Sequence, residues 1–176
     1  MEQEPASEPP GLEPVLRPHR IAIGCYDIGP EGLRRTRRIE LDLQGPRTEV
    51  PELTGVPRPD LILLNDDDLT FAKTRLDDRS MATAIEHIGT LEDSLPRALI
   101  WGSAWDMTRD AEMTTGDFLT LVLAGLPHET DIGVVQQLMR QAKAAVDQFA
   151  HPSHRDAYLA QMADALSAYA HAAAPG

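Results

Sequence analysis

The stretch Leu61-Ile62-Leu63-Leu64-Asn65-Asp66-Asp67-Asp68-Leu69-Thr70-Phe71-Ala72-Lys73-Thr74-Arg75-Leu76-Asp77 separates two kinds of sequence. Before it, apolar residues recur at every second position and Pro and Gly are frequent. After it, they recur every three or four positions in a composition rich in Ala, Leu and Met. Alternation is the pattern of a half-buried strand, and the longer spacing is that of an amphipathic helix. The expected fold class is therefore α+β, a partial antiparallel β-sandwich followed by an antiparallel, solenoid-like helical stack. The expected division is a Pro/Glu-rich disordered lead-in over 1–17, the partial sandwich over 18–77 and the helical region over 78–176.

Composition narrows the function classes. The chain has 176 residues, 16 Lys and Arg against 28 Asp and Glu, and a formal net charge of -12. A surface that acidic repels phosphate, so neither nucleic acid nor an anionic membrane is an expected partner. The uninterrupted apolar runs are far too short to span a bilayer. One cysteine, Cys25, allows no intrachain disulfide, and the N-terminus carries Glu2, Glu4 and Glu8 where a signal peptide would be basic and then apolar. The expected compartment is the cytoplasm.

Working outward from the junction, Leu61 to Leu64 is a continuous apolar run, as in a strand covered on both faces. Upstream, Arg20 to Asp27 alternates, Ile28 to Gly32 supplies turn residues, and Leu33 to Leu43 alternates again with Leu33, Arg35, Arg37, Ile39, Leu41 and Leu43 on one face. That predicts a hairpin. With short strands at Arg47 to Val50 and Thr70 to Leu76, the sheet region holds four or five strands, fewer than the roughly seven of a complete sandwich. Downstream, five helices are expected. Asp77 or Asp78 caps the first, with Met81, Ala84, Ile85 and Ile88 inward. Ser94 caps the second, with Leu95, Ala98, Leu99, Trp101 and Trp105 as its apolar side, and Thr114 or Thr115 caps the third. Ile132, Val135, Met139, Ala142, Val146 and Phe149 stripe the fourth, and Leu159, Met162, Leu166 and Tyr169 the fifth.

No stretch completes a chemical site, and the expected catalytic, cofactor-binding and metal-ligating residues are none. Asp66-Asp67-Asp68 reads as a solvated turn, because three consecutive acids on an extended segment do not converge on one cation. His128-Glu129-Thr130-Asp131-Ile132 begins like the zinc motif His-Glu-x-x-His but has Ile132 in place of the second ligand. His151 and His154 lack a third donor and read as surface residues. Cys25 reads as a small buried thiol. Arg34, Arg35, Arg37 and Arg38 read as a solvated edge strand, split between its faces. Trp101 and Trp105 read as core anchors.

Longer strings carry a resemblance. Pro59-Asp60-Leu61 through Leu76-Asp77, Asp93-Ser94-Leu95-Pro96-Arg97-Ala98-Leu99 and Trp101-Gly102-Ser103-Ala104-Trp105-Asp106-Met107-Thr108-Arg109-Asp110 resemble the actinobacterial-type aminopeptidase N family of zinc metallopeptidases. Arg17-Pro18-His19-Arg20-Ile21-Ala22-Ile23-Gly24 and Asp131-Ile132-Gly133-Val134-Val135-Gln136 are similar to the same family, so the likeness runs from about Arg17 to Phe149. It implies the end of the family's β-sandwich domain and the first helices of its C-terminal domain, which is similar to that of endoplasmic-reticulum aminopeptidases. The family's zinc motif and its amine-binding Gly-x-Met-Glu-Asn stretch are missing from this sequence. What the resemblance implies is thus a non-catalytic portion without its own cofactor, zinc belonging to the intact family. Its expected partners are the catalytic domain of the parent enzyme and, in that enzyme, the peptide substrate. The competing expectation is a stand-alone helical interaction module.

Overall fold

The computed structural model describes residues 1–5 and 15–172. Its sheet has three antiparallel strands in the order β2-β1-β3: β1, His19–Gly29; β2, Gly32–Leu43; and β3, Leu61–Leu64. Five α-helices follow among the described residues: α1, Asp78–His87; α2, Ser94–Arg109; α3, Thr115–Gly125; α4, Ile132–Ala144; and α5, Pro152–Ala172. The fold is α+β. The hairpin forms as its alternation predicts, with the turn between Gly29 and Gly32, where Gly32 takes φ +102.

Two predicted strands do not form. Arg47 makes a single bridge with Glu2, and Thr70 to Leu76 joins no sheet among the described residues. Met1 also donates its amino group to Thr48 and packs on the outer face of the sheet, while residues 6–14 of the expected lead-in lie outside the described residues.

A bulge resets the faces of β2. Cys25 opposes Arg37 while Tyr26 opposes Arg35, so Thr36 is the extra residue, and its hydroxyl donates to the Asp27 carboxylate (2.6 Å). Leu33 and Arg35 consequently face away from Ile39, Leu41 and Leu43, which the unbroken alternation had placed with them. Leu33, Tyr26, Leu61 and Leu63 join the helical core. Ile21, Ile23, Cys25, Ile39 and Leu43 make a second, smaller core on the outer face, where Met1, Val50 and Leu53 lie. β3 is therefore covered on both sides, as its apolar run predicts.

The helices pack around α3, which touches α1, α2, α4 and α5. Phe118, Leu119, Leu121 and Val122 are fully buried, as expected for a helix apolar on all sides. Asp77 caps α1 by accepting from the Ser80 N–H (3.0 Å) and Thr114 caps α3, while Asp93, not Ser94, caps α2.

Two expected stripes form in part: Leu99, Trp101 and Trp105 of α2 face the core as predicted, and the departures in α2 and α4 are at particular positions. In α2 the buried face is Pro96, Arg97, Ile100, Trp101, Ala104 and Thr108, leaving Leu95 and Ala98 exposed, because Arg97 turns inward. In α4 the expected Val135, Met139, Ala142 and Val146 do face the core, joined by Leu138 and Ala145. Ile132 is exposed at the first turn, and the π turn Ala145–Phe149 swings Phe149 outward. Along the 21 residues of α5 only Met162 is fully buried, with Tyr158 and Leu166 packed beside it.

Sheet and helices are joined by hydrogen bonds as well as by apolar contact. Ile62 N–H donates to Ser80 Oγ (2.9 Å), Leu33 N–H to Thr90 Oγ1 (3.0 Å), and Thr83 Oγ1 to the Asp60 carbonyl (2.9 Å). Asp60 accepts from the Ile28 N–H and then from Arg79, which together hold its carboxyl below the usual range. Burial pushes Asp77 up, but the Ser80 N–H and hydroxyl and Arg58 outweigh it, so its carboxyl is also lowered. A carboxylate with a depressed folded-state pKa contributes stability above its unfolded value, and that contribution is lost as pH falls through the folded value. Urea midpoints should therefore hold from about pH 7 to 5 and fall below about pH 4. The fall should be shallower in Asp60→Asn, and a midpoint that rises on acidification contradicts this linkage.

Candidate functional site

The aspartate tract is a paired cluster that runs from buried Asp66 through half-buried Asp67 to exposed Asp68. Asp66 is 1% exposed. Its N–H donates to the Ala22 carbonyl, and its carboxylate lies across β1 toward β2. The Tyr26 hydroxyl donates to Oδ1 (2.5 Å) and Arg35 Nη1 to Oδ2 (2.7 Å). Burial, and then the neighbouring carboxylate, push the Tyr26 phenol far above its ordinary value, so it stays a donor. Asp67 accepts from both Arg38 and Arg35, and chiefly the Arg38 hydrogen bond holds its carboxyl low. Through Arg38, Glu40 and Arg20 the chain of charges continues to Asp42.

The bulge at Thr36 makes this geometry possible. Residues three apart on a regular strand face opposite ways; one extra residue puts Arg35 and Arg38 on the same side. Gly24 provides the space: a Cβ there would collide with the Asp66 carboxylate. Asn65 (φ 58) and Asp68 (φ 53) bend the chain, and the Asn65 side chain pairs with the backbone of Thr70 on both edges (2.7 and 3.2 Å). The expected solvated turn is corrected accordingly. Only Asp68 of the three is exposed, while Arg34, Arg35, Arg37 and Arg38 are exposed on the edge strand β2, as expected, and are also hydrogen-bonded to carboxylates or, for Arg37, to the Glu52 carbonyl. Gly24 inside a strand was the sequence signal for a close approach.

The second buried charge pair lies among the helices. Arg97 donates Nη1 to the carbonyls of Leu91 (2.6 Å) and Glu92 (2.9 Å) and Nη2 to Glu129 Oε2 (3.3 Å). Glu129 Oε1 accepts from the N–H groups of Thr130 (3.0 Å) and Asp131 (3.3 Å). The pair ties the loop before α2 to the loop before α4. Glu129 is thus a structural ion-pair partner, and Ile132 projects into solvent; the residues of this stretch do not fit zinc.

The remaining candidates are dispersed. His151 and His154 are exposed and edge-on at 6.1 Å, with His154 near Tyr158 (6.0 Å). They line an open groove of about 550 Å³ between the α2–α3 turn and the start of α5. Cys25 is buried, and burial pushes its thiol up, away from the reactive thiolate. Trp101 is buried against Gly125 and Ile88 approaches the same glycine; Trp105 packs on Phe118 (5.5 Å) and Phe149 (6.1 Å). Among the described residues no three His, Cys, Asp or Glu converge as a metal-binding group, and no helix is long and apolar enough to cross a membrane.

Two substitutions test these pairs. Gly24→Ala should displace the Asp66 carboxylate and cost about 1–3 kcal/mol in urea unfolding; a cost near zero would contradict the crossing geometry. Arg97→Met should cost about 3–5 kcal/mol by leaving Glu129 buried and unpaired, and Arg97→Met with Glu129→Leu should recover much of that loss. Additive losses would count against a coupled pair.

Comparison with known proteins places this geometry in a family. The chain is 55% identical over 177 aligned positions to Aminopeptidase N of Streptomyces lividans, an alignment that covers 99% of this chain and 21% of that protein. The chain thus spans about a fifth of that relative's length. Residues 61–176, from β3 to the end, match the family described as ERAP1-like C-terminal domain. With that match covering the whole helical stack, the chain belongs to the ERAP1-like C-terminal domain family.

Proposed function

We propose that this chain works as a non-catalytic, C-terminal portion of a zinc-dependent aminopeptidase that removes N-terminal residues from peptides. The observation that carries the reading is the 55% identity to Aminopeptidase N over nearly all of these residues, which account for 21% of that protein. The buried polar groups agree with it. Asp66, Tyr26, Arg97 and Glu129 are committed to one another and to backbone, so they are unavailable for proton transfer or for activating a nucleophile. Zinc, and the residues that hold it and the substrate's amine, belong in this reading to parts of the parent enzyme outside these 176 residues.

The role proposed for the region is to pack against the catalytic domain and to help enclose the peptide cavity. The sheet and the sandwich it would complete form one body of the region, residues 18–77, and the helical stack, 78–176, the other. The proposed compartment is the cytoplasm, in keeping with the single cysteine.

The purified 176-residue chain, incubated with zinc and an alanine anilide, should release no product above the uncatalysed rate. Zinc-dependent, chelator-sensitive hydrolysis by this chain alone would overturn the proposal.

A further inference from the structure

We propose that His151 and His154 form a two-histidine site for a divalent transition-metal ion of the Ni²⁺, Cu²⁺ and Zn²⁺ class, at the corner where the π turn enters α5. The inference goes beyond the proposed function and stands on this chain alone. Backbone geometry brings the two rings together. The π turn Ala145–Phe149 ends at Ala150, Pro152 opens α5, and the His154 N–H donates to the His151 carbonyl (2.9 Å). His151 thus flanks the helix and His154 is its third residue, the two positions whose side chains approach each other in a capping box. Both rings are exposed, with centroids 6.1 Å apart and planes at 88°. Imidazole nitrogens bind such ions at about 2 Å, so two rings on one ion have centroids about 5–6 Å apart. A small rotation of these exposed rings reaches that range.

Each ring has a partner that orients it. His151 Nδ1 lies 2.8 Å from Ser153 Oγ. With Nδ1–H donating to that hydroxyl, Nε2 carries the free lone pair, and the outer hydrogen bond fixes the ligating tautomer. The longer contact from the Ser153 N–H to Nδ1 (3.4 Å) is given up. His154 stands beside Tyr158 (6.0 Å), whose hydroxyl lies against Gly116 at the start of α3.

The surroundings decide the class of ion. Both rings border the open groove of about 550 Å³, which leaves room for water at the ion's other positions. No third His, Cys, Asp or Glu joins them among the described residues, and Glu112 of the same groove is held by Arg75. Two imidazoles without a carboxylate select Ni²⁺, Cu²⁺ and Zn²⁺ over Mg²⁺ and Ca²⁺, which take oxygen ligands. The positive end of the α5 dipole lowers affinity by a factor of about two to five. The net charge of -12 acts in the other direction.

The test titrates the untagged 176-residue chain with Ni²⁺ alone and with Cu²⁺ alone, followed by calorimetry and by paramagnetic broadening of the amide signals. One ion should bind per chain, Cu²⁺ more tightly than Ni²⁺, with broadening centred on 150–158. His151→Ala and His154→Ala should each weaken binding about tenfold or more, and Ser153→Ala should weaken it in the same direction. His128→Ala and His171→Ala should leave it unchanged. The exposed His154 side chain makes no hydrogen bond among the described residues, so His154→Ala tests ligation without disturbing the fold, and its circular dichroism should match that of the unaltered chain. Binding that survives His154→Ala overturns the inference. So does broadening centred on the amino terminus or spread over the acidic surface, competition by Mg²⁺ as effective as that by Zn²⁺, or a Kd weaker than about 1 mM.

Discussion

The placement of one buried carboxylate sets much of the sheet half of this structure. Asp66 follows the last strand, crosses the middle strand at a glycine and meets an arginine two strands away. An ionised carboxylate is costly to bury unless its oxygens are occupied. Both are: one by a phenol that burial keeps protonated, the other by a guanidinium that is itself part solvated. Three departures from regular strand structure converge on that pairing. Gly24 clears the path, the bulge at Thr36 turns Arg35 and Arg38 to one side, and Asn65 in a left-handed conformation aims the tract inward.

The helical half depends on a comparable arrangement. Arg97 occupies a position on α2 that an apolar side chain would ordinarily take, and it satisfies two carbonyls at the preceding loop before reaching Glu129. Both clusters join segments distant in sequence, and both put charge beside a core shared by Tyr26, Leu33, Leu61 and Leu63 with the helices. Such pairs add little net stability relative to apolar replacements. Each fixes geometry within its own half, and the halves are joined by the shared core and by the Ser80, Thr83 and Thr90 hydrogen bonds.

Local signals carried most of the architecture. The hairpin, the Leu61–Leu64 strand and all five helices were legible from apolar period, turn residues and caps, because each of those is decided within a few residues. The misses required knowledge of distant partners. The bulge reversed part of β2 because pairing, not propensity, decides which residue is extra. Arg97 joined the buried face of α2 because its partner lies 32 residues away. Thr70 to Leu76 has strand-like alternation but no neighbour to pair with among the described residues, and alternation alone does not make a ladder. The aspartate tract was read as solvated for a similar reason: its partners are residues 26, 35 and 38, on strands read separately from it.

The functional account follows from where the polar chemistry goes. Every buried charged group described here is spent on holding the fold, and the family and the 55% identical relative supply the larger context. The most direct measurement of that account is complementation in trans. Streptomyces lividans Aminopeptidase N shortened by the segment this chain matches would be mixed with the purified chain, and peptide hydrolysis followed against chain concentration. The account predicts a shortened enzyme of reduced activity that regains it saturably as the chain is added. A shortened enzyme that keeps full activity, and neither binds nor responds to the chain, would contradict it.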